Sequence, residues 1–168
     1  FEQDDLLLAF VGSCDVVVHL AARNRPADAQ AVYDNNVRLT DQLIGALEGS
    51  PSPPALIFDV SIREGEATAY GQSKQTCRER LEEWASRSAG KLVTLRIPNV
   101  FGPGAKPFDN SFIATFCTQL LRGESPVVTE NRLVPLLYID NACRIMLNEV
   151  FAAAESSGDF PQIKTVDP

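Results

Sequence analysis

Residues 55–60 read ALIFDV, five apolar side chains and one carboxylate, with the breaker run Ser50–Pro54 before them and Ser61 after. The run has strand length but no period-two alternation, which is the texture of a strand buried on both faces. Two other runs share it: DVVVHL, Asp15–Leu20, and LVTLRI, Leu92–Ile97. Between the first and second, Ala31–Glu48 carries Val32, Val37, Leu39, Leu43, Ile44 and Leu47 at helical spacing and stops at Gly49. Between the second and third, Tyr70–Ser88 places Cys77, Leu81, Trp84 and Ala85 on one side and charges on the other. This helix is expected to end at Gly90 as a C′ glycine. Strand–helix–strand–helix–strand in this order predicts a parallel α/β sheet with right-handed crossovers.

Working outward, Phe1–Phe10 reads as a helix before the first strand. After Ile97, Pro98–Pro107 reads as loop, and Asp109–Arg122 as a helix capped by Asp109, Asn110 or Ser111. Leu133–Tyr138 reads as a short strand, Ile139–Ala154 as a closing helix and Pro161–Pro168 as tail. A doubly wound sheet usually has about six strands or more, so a partial one is expected. No G-x-G-x-x-G occurs, which places any Gly-rich phosphate cradle upstream of this sequence. Phe1 in place of Met predicts a start that is missing or processed.

Composition narrows the function. The chain has 168 residues, 45% of them hydrophobic, enough for an ordinary core. Lys and Arg number 15 against 22 Asp and Glu, a net charge of −7 with no basic block. That excludes general nucleic-acid or anionic-membrane binding and leaves room for a small anionic ligand held by local donors. No run approaches the roughly 20 apolar residues that span a bilayer, and Glu2, Asp4 and Asp5 are the wrong charge for a signal peptide. Cys14, Cys77, Cys117 and Cys143 never form a CxxC pair, and His19 is the one histidine. Zinc, a disulfide framework and a Ser-His-Asp triad are thereby disfavoured, and a cytoplasmic location is expected.

Several residues could do chemistry. Tyr70 and Lys74 form a Y-x-x-x-K at the start of a helix. Four residues turn a helix by about 400°, so the two share a face. An ammonium near the phenol would lower its pKa and fit it for proton transfer. Taken alone, the pair also reads as a surface tyrosine with an exposed lysine. Ser61 follows a strand's carboxyl end, where parallel sheets place ligands; the plain alternative is a turn serine. Pro98 and Asn99 occupy the equivalent place after the third strand. After the first, Leu20, Ala21 and Ala22 leave room for a flat ligand, while His19 within the strand reads as a core histidine with one hydrogen bond. Arg132 could grip a diphosphate bidentately or simply pair with Glu130.

The order of these signals is more specific than any of them. VVHLAARNRP, NNVRLT, AYGQSK, LRIPNVFGPGAKPFDNSFIATFC and LLYIDNA together resemble the extended short-chain dehydrogenase/reductase family of nucleotide-sugar epimerases, dehydratases and reductases, from about Cys14 to Asn148. They are closest to its bacterial capsule and O-antigen 4-ketoreductases of UDP-N-acetyl-L-fucosamine synthesis, in which a cupin epimerase domain follows the reductase domain.

The resemblance implies a Rossmann-like doubly wound α/β fold. Residues 1–125 would be the C-terminal half of a dinucleotide-binding domain and 126–168 part of a small substrate-binding subdomain. It implies Tyr70 as proton donor or acceptor, Lys74 as its partner and a ribose holder, and Ser61 as the group polarising the sugar C4 oxygen. Leu20, Ala21, Ala22 and Pro98 would flank the cofactor together with Tyr70 and Lys74, and Asn36 would lie behind the site. Asn99 and Arg132 would meet a UDP-sugar. NADP(H) is favoured on the branch, with NAD the alternative. A homodimer is expected through the Ala31–Glu48 and Tyr70–Ser88 helices, with Leu81 or Trp84 either anchoring the seam or packing on the sheet.

Two departures stand out. Asp59 and Val60 replace the Ser-Ser often found before the catalytic serine, and Ile62 and Arg63 follow Ser61 where dehydratases carry Asp-Glu. The second disfavours dehydration and leaves a 4-ketoreductase, a 4-epimerase that recycles NAD, or a non-catalytic dinucleotide-binding module.

Overall fold

The structure is a computed structural model that describes residues 4–24, 28–109, 111–155 and 160–167. Phe1 and Asn110, named above as a helix start and a candidate cap, lie outside the described residues, as do Arg25 and Pro26 of the VVHLAARNRP segment.

The chain runs α1 (Asp4–Val11), β1 (Val16–His19), α2 (Ala29–Gly49), β2 (Ala55–Asp59), α3 (Ala69–Ser88) and β3 (Leu92–Arg96). It continues with β4 (Asn99–Phe101), α4 (Phe112–Leu121), β5 (Leu136–Tyr138), α5 (Ile139–Glu155) and β6 (Gln162–Thr165). Strands β1, β2, β3 and β6 form one sheet in that order, every pair parallel. This is the expected Rossmann-like α/β layering.

Burial explains why the strands lacked alternation. Leu56, Phe58 and Val60 point into a core shared with α1, α2 and α3, including Val37, Leu43, Leu47, Leu81 and Trp84. Ile57, Val93, Leu95 and Ile97 point into a second core with Ala142, Ile145 and Met146 of α5. Both sheet faces are covered, so both strand registers are apolar. Leu81 and Trp84 are fully buried against the sheet and are not seam anchors.

Side-chain caps set the helix starts. Asp28 Oδ1 accepts the Gln30 N–H at 2.9 Å, which moves the start of α2 ahead of Ala31. Thr68 Oγ1 accepts the Gly71 N–H at 3.1 Å and starts α3 at Ala69, immediately before Tyr70. Of the three caps considered for α4, Ser111 does the work.

Three expectations are corrected. The left-handed residue ending α3 is Ala89, with φ 52°, and not Gly90. Gly90 is needed for space, since a Cβ there would lie 2.6 Å from Trp84 Cη2. Pro98–Pro107 is not all loop, because Asn99–Phe101 pairs in parallel with Leu136–Tyr138 as a separate two-stranded sheet. Finally, Pro161–Pro168 is not a tail. Gln162–Thr165 adds to the main sheet beside β3, and Val166 is buried in the second core.

Candidate active site

The site forms where β2 ends. Its last residue, Asp59, accepts the Ser61 N–H on Oδ1 at 3.0 Å. Ser61 turns there with φ 69°, in the left-handed region that few non-glycine residues occupy. The Ser61 hydroxyl accepts the Arg63 N–H at 3.3 Å and is near enough to the Tyr70 phenol to favour its ionised form. Lys74 lies one turn further along α3, 2% exposed, and its Nζ donates to the Asp59 carbonyl at 2.6 Å. The ammonium sits 5.8 Å from the Tyr70 ring centroid and 4.8 Å from that of Phe58. Ser61, Tyr70 and Lys74 are therefore one cluster, as the sequence led us to expect.

Asn36 of α2 braces the cluster from behind. Its amide donates to Ser73 Oγ at 2.9 Å and to the Arg23 carbonyl at 2.9 Å, and accepts the Arg23 N–H at 2.7 Å. Ser73 in turn donates to the Tyr70 carbonyl at 2.8 Å. One buried amide thus ties the loop after β1 to the first turn of α3.

The electrostatics differ from the expected picture. The phenol of Tyr70 is pushed above its ordinary value, by burial first and by the Asp59 carboxylate second, against smaller opposing help from Ser61 and Arg63. Lys74 is not among the groups that move it; its ammonium donates to the Asp59 backbone carbonyl. Burial lowers the pKa of Lys74, with Asp59 and Cys77 opposing. Burial likewise raises Asp59, while Lys74 and the Ser61 N–H oppose.

A cavity of about 540 Å³ opens above the cluster. Ser61, Tyr70, Pro98, Asn99 and Arg132 all line it, so five of the expected site residues converge. Arg132 also pairs with Glu130 at 3.1 Å, the plainer of its two readings. Leu20, Ala21 and Ala22 do not line this cavity. They lie exposed at the carboxyl end of β1, in the loop whose Asn24 reaches the cavity wall. His19 is a core residue: it is 4% exposed, stacks on Phe58 and has Nε2 3.2 Å from Thr40 Oγ1.

Of the lining residues not singled out for the site from sequence, two carry charge. Asp59 is one; its signal was a carboxylate closing an otherwise apolar strand. Arg63 is the other. Its guanidinium stands 5.8 Å from the Tyr70 ring centroid and 2.9 Å from Glu66 Oε2. Among the described residues no cluster of His, Cys, Asp and Glu could hold a metal ion, and no helix is long and apolar enough to cross a membrane.

A dinucleotide's nicotinamide end fits this surface. The small Ala21 and Ala22 are exposed after β1, buried Pro98 lines the cavity, and the Lys74 ammonium stands 5.8 Å from the Tyr70 ring centroid.

Residues 2–159 match the NAD dependent epimerase/dehydratase family. Over 139 residues the chain is 31% identical to the UDP-2-acetamido-2,6-beta-L-arabino-hexul-4-ose reductase of Pseudomonas aeruginosa, covering 82% of this chain and 37% of that protein. The crystal structure of the capsular polysaccharide assembling protein CapF from Staphylococcus aureus superposes with a TM-score of 0.74 at 25% identity, covering 98% of this chain and 43% of that one. A Thermotoga maritima UDP-glucose 4-epimerase with UDP-glucose shares the fold at a TM-score of 0.81 and 20% identity, covering 99% of this chain and 61% of that one. The chain thus spans well under half the length of the first two.

Proposed function

This chain belongs to the NAD dependent epimerase/dehydratase family, and from that premise we propose that it forms the substrate-facing part of a nucleotide-sugar 4-ketoreductase. The substrate would be a UDP-linked deoxy-amino sugar with a ketone at C4, made for capsule or O-antigen synthesis in the cytoplasm. The observation that carries the reading is Ser61 and Tyr70 lining a cavity of about 540 Å³, with the buried Lys74 beside Tyr70. The Pseudomonas reductase, named for a hexul-4-ose, supports the choice of C4.

When bound, the nicotinamide cofactor supplies the hydride; NADP(H) is favoured and NAD is the alternative. The chain's own residues handle the rest. Ser61 would hydrogen-bond the C4 oxygen and fix it within reach of Tyr70. Tyr70, a phenol protonated at neutral pH, would give its proton to an oxygen gaining negative charge. Lys74 would hold the ribose. Leu20, Ala21, Ala22 and Pro98 would flank the cofactor, with Asn99 on the sugar and Arg132 on the diphosphate. In this reading residues 1–125 belong to the dinucleotide-binding domain and 126–168 to the substrate-binding subdomain, with β6 returning to the main sheet.

A 4-epimerase is the second reading, favoured by the fold shared with UDP-sugar epimerases. Redox stoichiometry separates the two when the full-length protein is given reduced cofactor and a UDP-4-keto sugar. Net NADPH consumption matching alcohol formed supports reduction. Interconversion of C4 epimers with no net consumption supports epimerisation. Nucleotide binding with neither outcome leaves the non-catalytic module and overturns the enzyme assignment.

A homodimer is part of the same proposal. The outer faces of α2 and α3 carry the inter-helix pairs Arg80–Asp41 and Arg87–Glu48 beside a groove of about 750 Å³ lined by Leu8, Tyr33 and Arg38. Sedimentation of the full-length protein should give twice the monomer mass; a monomer at micromolar concentration contradicts it.

A further inference from the structure

The family's habit of Ser-Ser before the catalytic serine is broken in this chain by Asp59-Val60, and the structure gives the carboxylate a place. Asp59 touches the cluster on two sides. Its Oδ1 holds the Ser61 N–H at 3.0 Å, and its carbonyl holds Lys74 Nζ at 2.6 Å. It also lines the cavity beside Ser61 and Tyr70.

We propose that Asp59 is a positioning residue for the Ser61–Tyr70 pair: its carboxylate locks the left-handed turn that presents the Ser61 hydroxyl, and its negative charge faces the phenol.

The turn needs such a lock. A non-glycine residue at φ 69° is strained and persists only where surrounding bonds over-determine it. The side-chain bond from Asp59 to the N–H two residues on closes the turn from the strand side. The Glu64 N–H bonded to the Ser61 carbonyl at 3.3 Å closes it from the other. Val60, fully buried, fixes the residue between. Without the carboxylate, Ser61 is free to relax toward extended backbone, and its hydroxyl leaves the phenol.

The charge acts separately from the turn. Around Asp59 stand Tyr70 and Lys74 of α3, and Arg63 of the loop after β2. Arg96 of β3 is committed to Glu64, and His19 of β1 is neutral above about pH 4. Lys74 Nζ donates to the backbone carbonyl of Asp59 and not to its carboxylate. A serine at position 59 could close the turn but would carry no charge. Asp59 therefore does both jobs, and it biases the phenol toward its protonated form.

The proposal rests on the catalytic reading of Ser61 and Tyr70, but its test does not need turnover. The phenolate absorbance of Tyr70 is titrated in the full-length protein as the difference from Tyr70→Phe, with Asp59 intact, Asp59→Asn and Asp59→Ala. Asp59→Asn keeps an oxygen acceptor and removes the charge, so the Tyr70 titration should move to lower pH while the melting temperature holds. Asp59→Ala removes both; where substrate is turned over, kcat should fall on the order of 10²-fold, the loss a misplacement of about 1 Å brings, and Asp59→Asn should restore most of it. An unmoved Tyr70 titration in folded Asp59→Asn overturns the charge role. Wild-type kcat in Asp59→Ala overturns the positioning role. An Asp59→Asn protein that no longer folds makes Asp59 a scaffold residue and overturns both. If no sugar substrate is ever turned over, the titration still decides the charge role, so the two readings fail separately.

Discussion

Replacing Gly71 with Ala should damage the site through space alone. Gly71 follows Tyr70 in the first turn of α3, with an ordinary helical backbone. A Cβ there would lie 2.5 Å from the Arg63 carbonyl oxygen, 2.8 Å from that of Glu66 and 2.9 Å from the Glu66 nitrogen. All three are backbone atoms, which cannot swing aside as a flexible side chain would. Ordinary contact begins at 3.4 Å, so helix and loop must part by about 0.9 Å. That loop is pinned by the Gly65 N–H on the Gly71 carbonyl at 3.2 Å and by Glu64, which holds Arg78 and Arg96. Overpacking of this kind costs about 1–3 kcal/mol. The displacement falls between Ser61 and Tyr70, where a shift near 1 Å can cost on the order of 10²-fold in rate. Urea unfolding should show a lower midpoint at unchanged slope, and kcat should fall while nucleotide affinity holds. Gly45→Ala is the control. Nothing stands within 4 Å of its Cβ position in mid-α2, so it should be neutral or up to about 1 kcal/mol more stable. Equal midpoints and equal rates for wild type and Gly71→Ala would refute the close-approach argument.

Other perturbations follow from the same geometry. Burial lowers the pKa of His19 from 6.5 to about 4, so its contribution is complete above pH 6.5 and is lost as pH falls from there toward 4. The loss is about 1.4 kcal/mol per pH unit and about 3 kcal/mol in all; His19→Gln should flatten the dependence of midpoint on pH between 6.5 and 5, and an unchanged slope would count against it. Glu64 is 7% exposed and its carboxyl is held below the usual range: burial would raise it, but bonds to Arg78 and Arg96 prevail. Its stabilisation is present above the unfolded value of 4.5 and lost as pH falls through the lower folded value. Glu64→Gln should cost about 2 kcal/mol at neutral pH, less than a fully buried pair because Arg96 is 37% exposed; a cost below about 0.5 kcal/mol would contradict this.

The parts legible in sequence were those written locally. Apolar runs buried on both faces marked β1, β2 and β3, and Y-x-x-x-K at a helix start marked Tyr70 and Lys74. What escaped was set by partners far along the chain. The QIKT of β6 is a short edge strand with Ile163 half exposed, so it carries no buried run, and only β3 makes it a strand. β4 is three residues caught between Pro98 and Gly102, paired with a segment beyond α4. Spacing put Lys74 beside Tyr70 correctly, yet the direction of the phenol's shift was misread. Where the ammonium goes depends on the Asp59 carbonyl, 15 residues away. Gly90 was read as a conformational residue, whereas the fold asks it to make room for Trp84.

The most direct test of the account is Tyr70→Phe in the full-length protein, assayed for hydride transfer to a UDP-4-keto sugar and, in parallel, for nucleotide affinity. Loss of the phenolic proton at a site otherwise intact should lower kcat by about 10²-fold or more with affinity unchanged within a factor of about two. Turnover at the wild-type rate with cofactor bound would remove Tyr70 from the chemistry and leave the cluster with Ser61 and Lys74 unexplained.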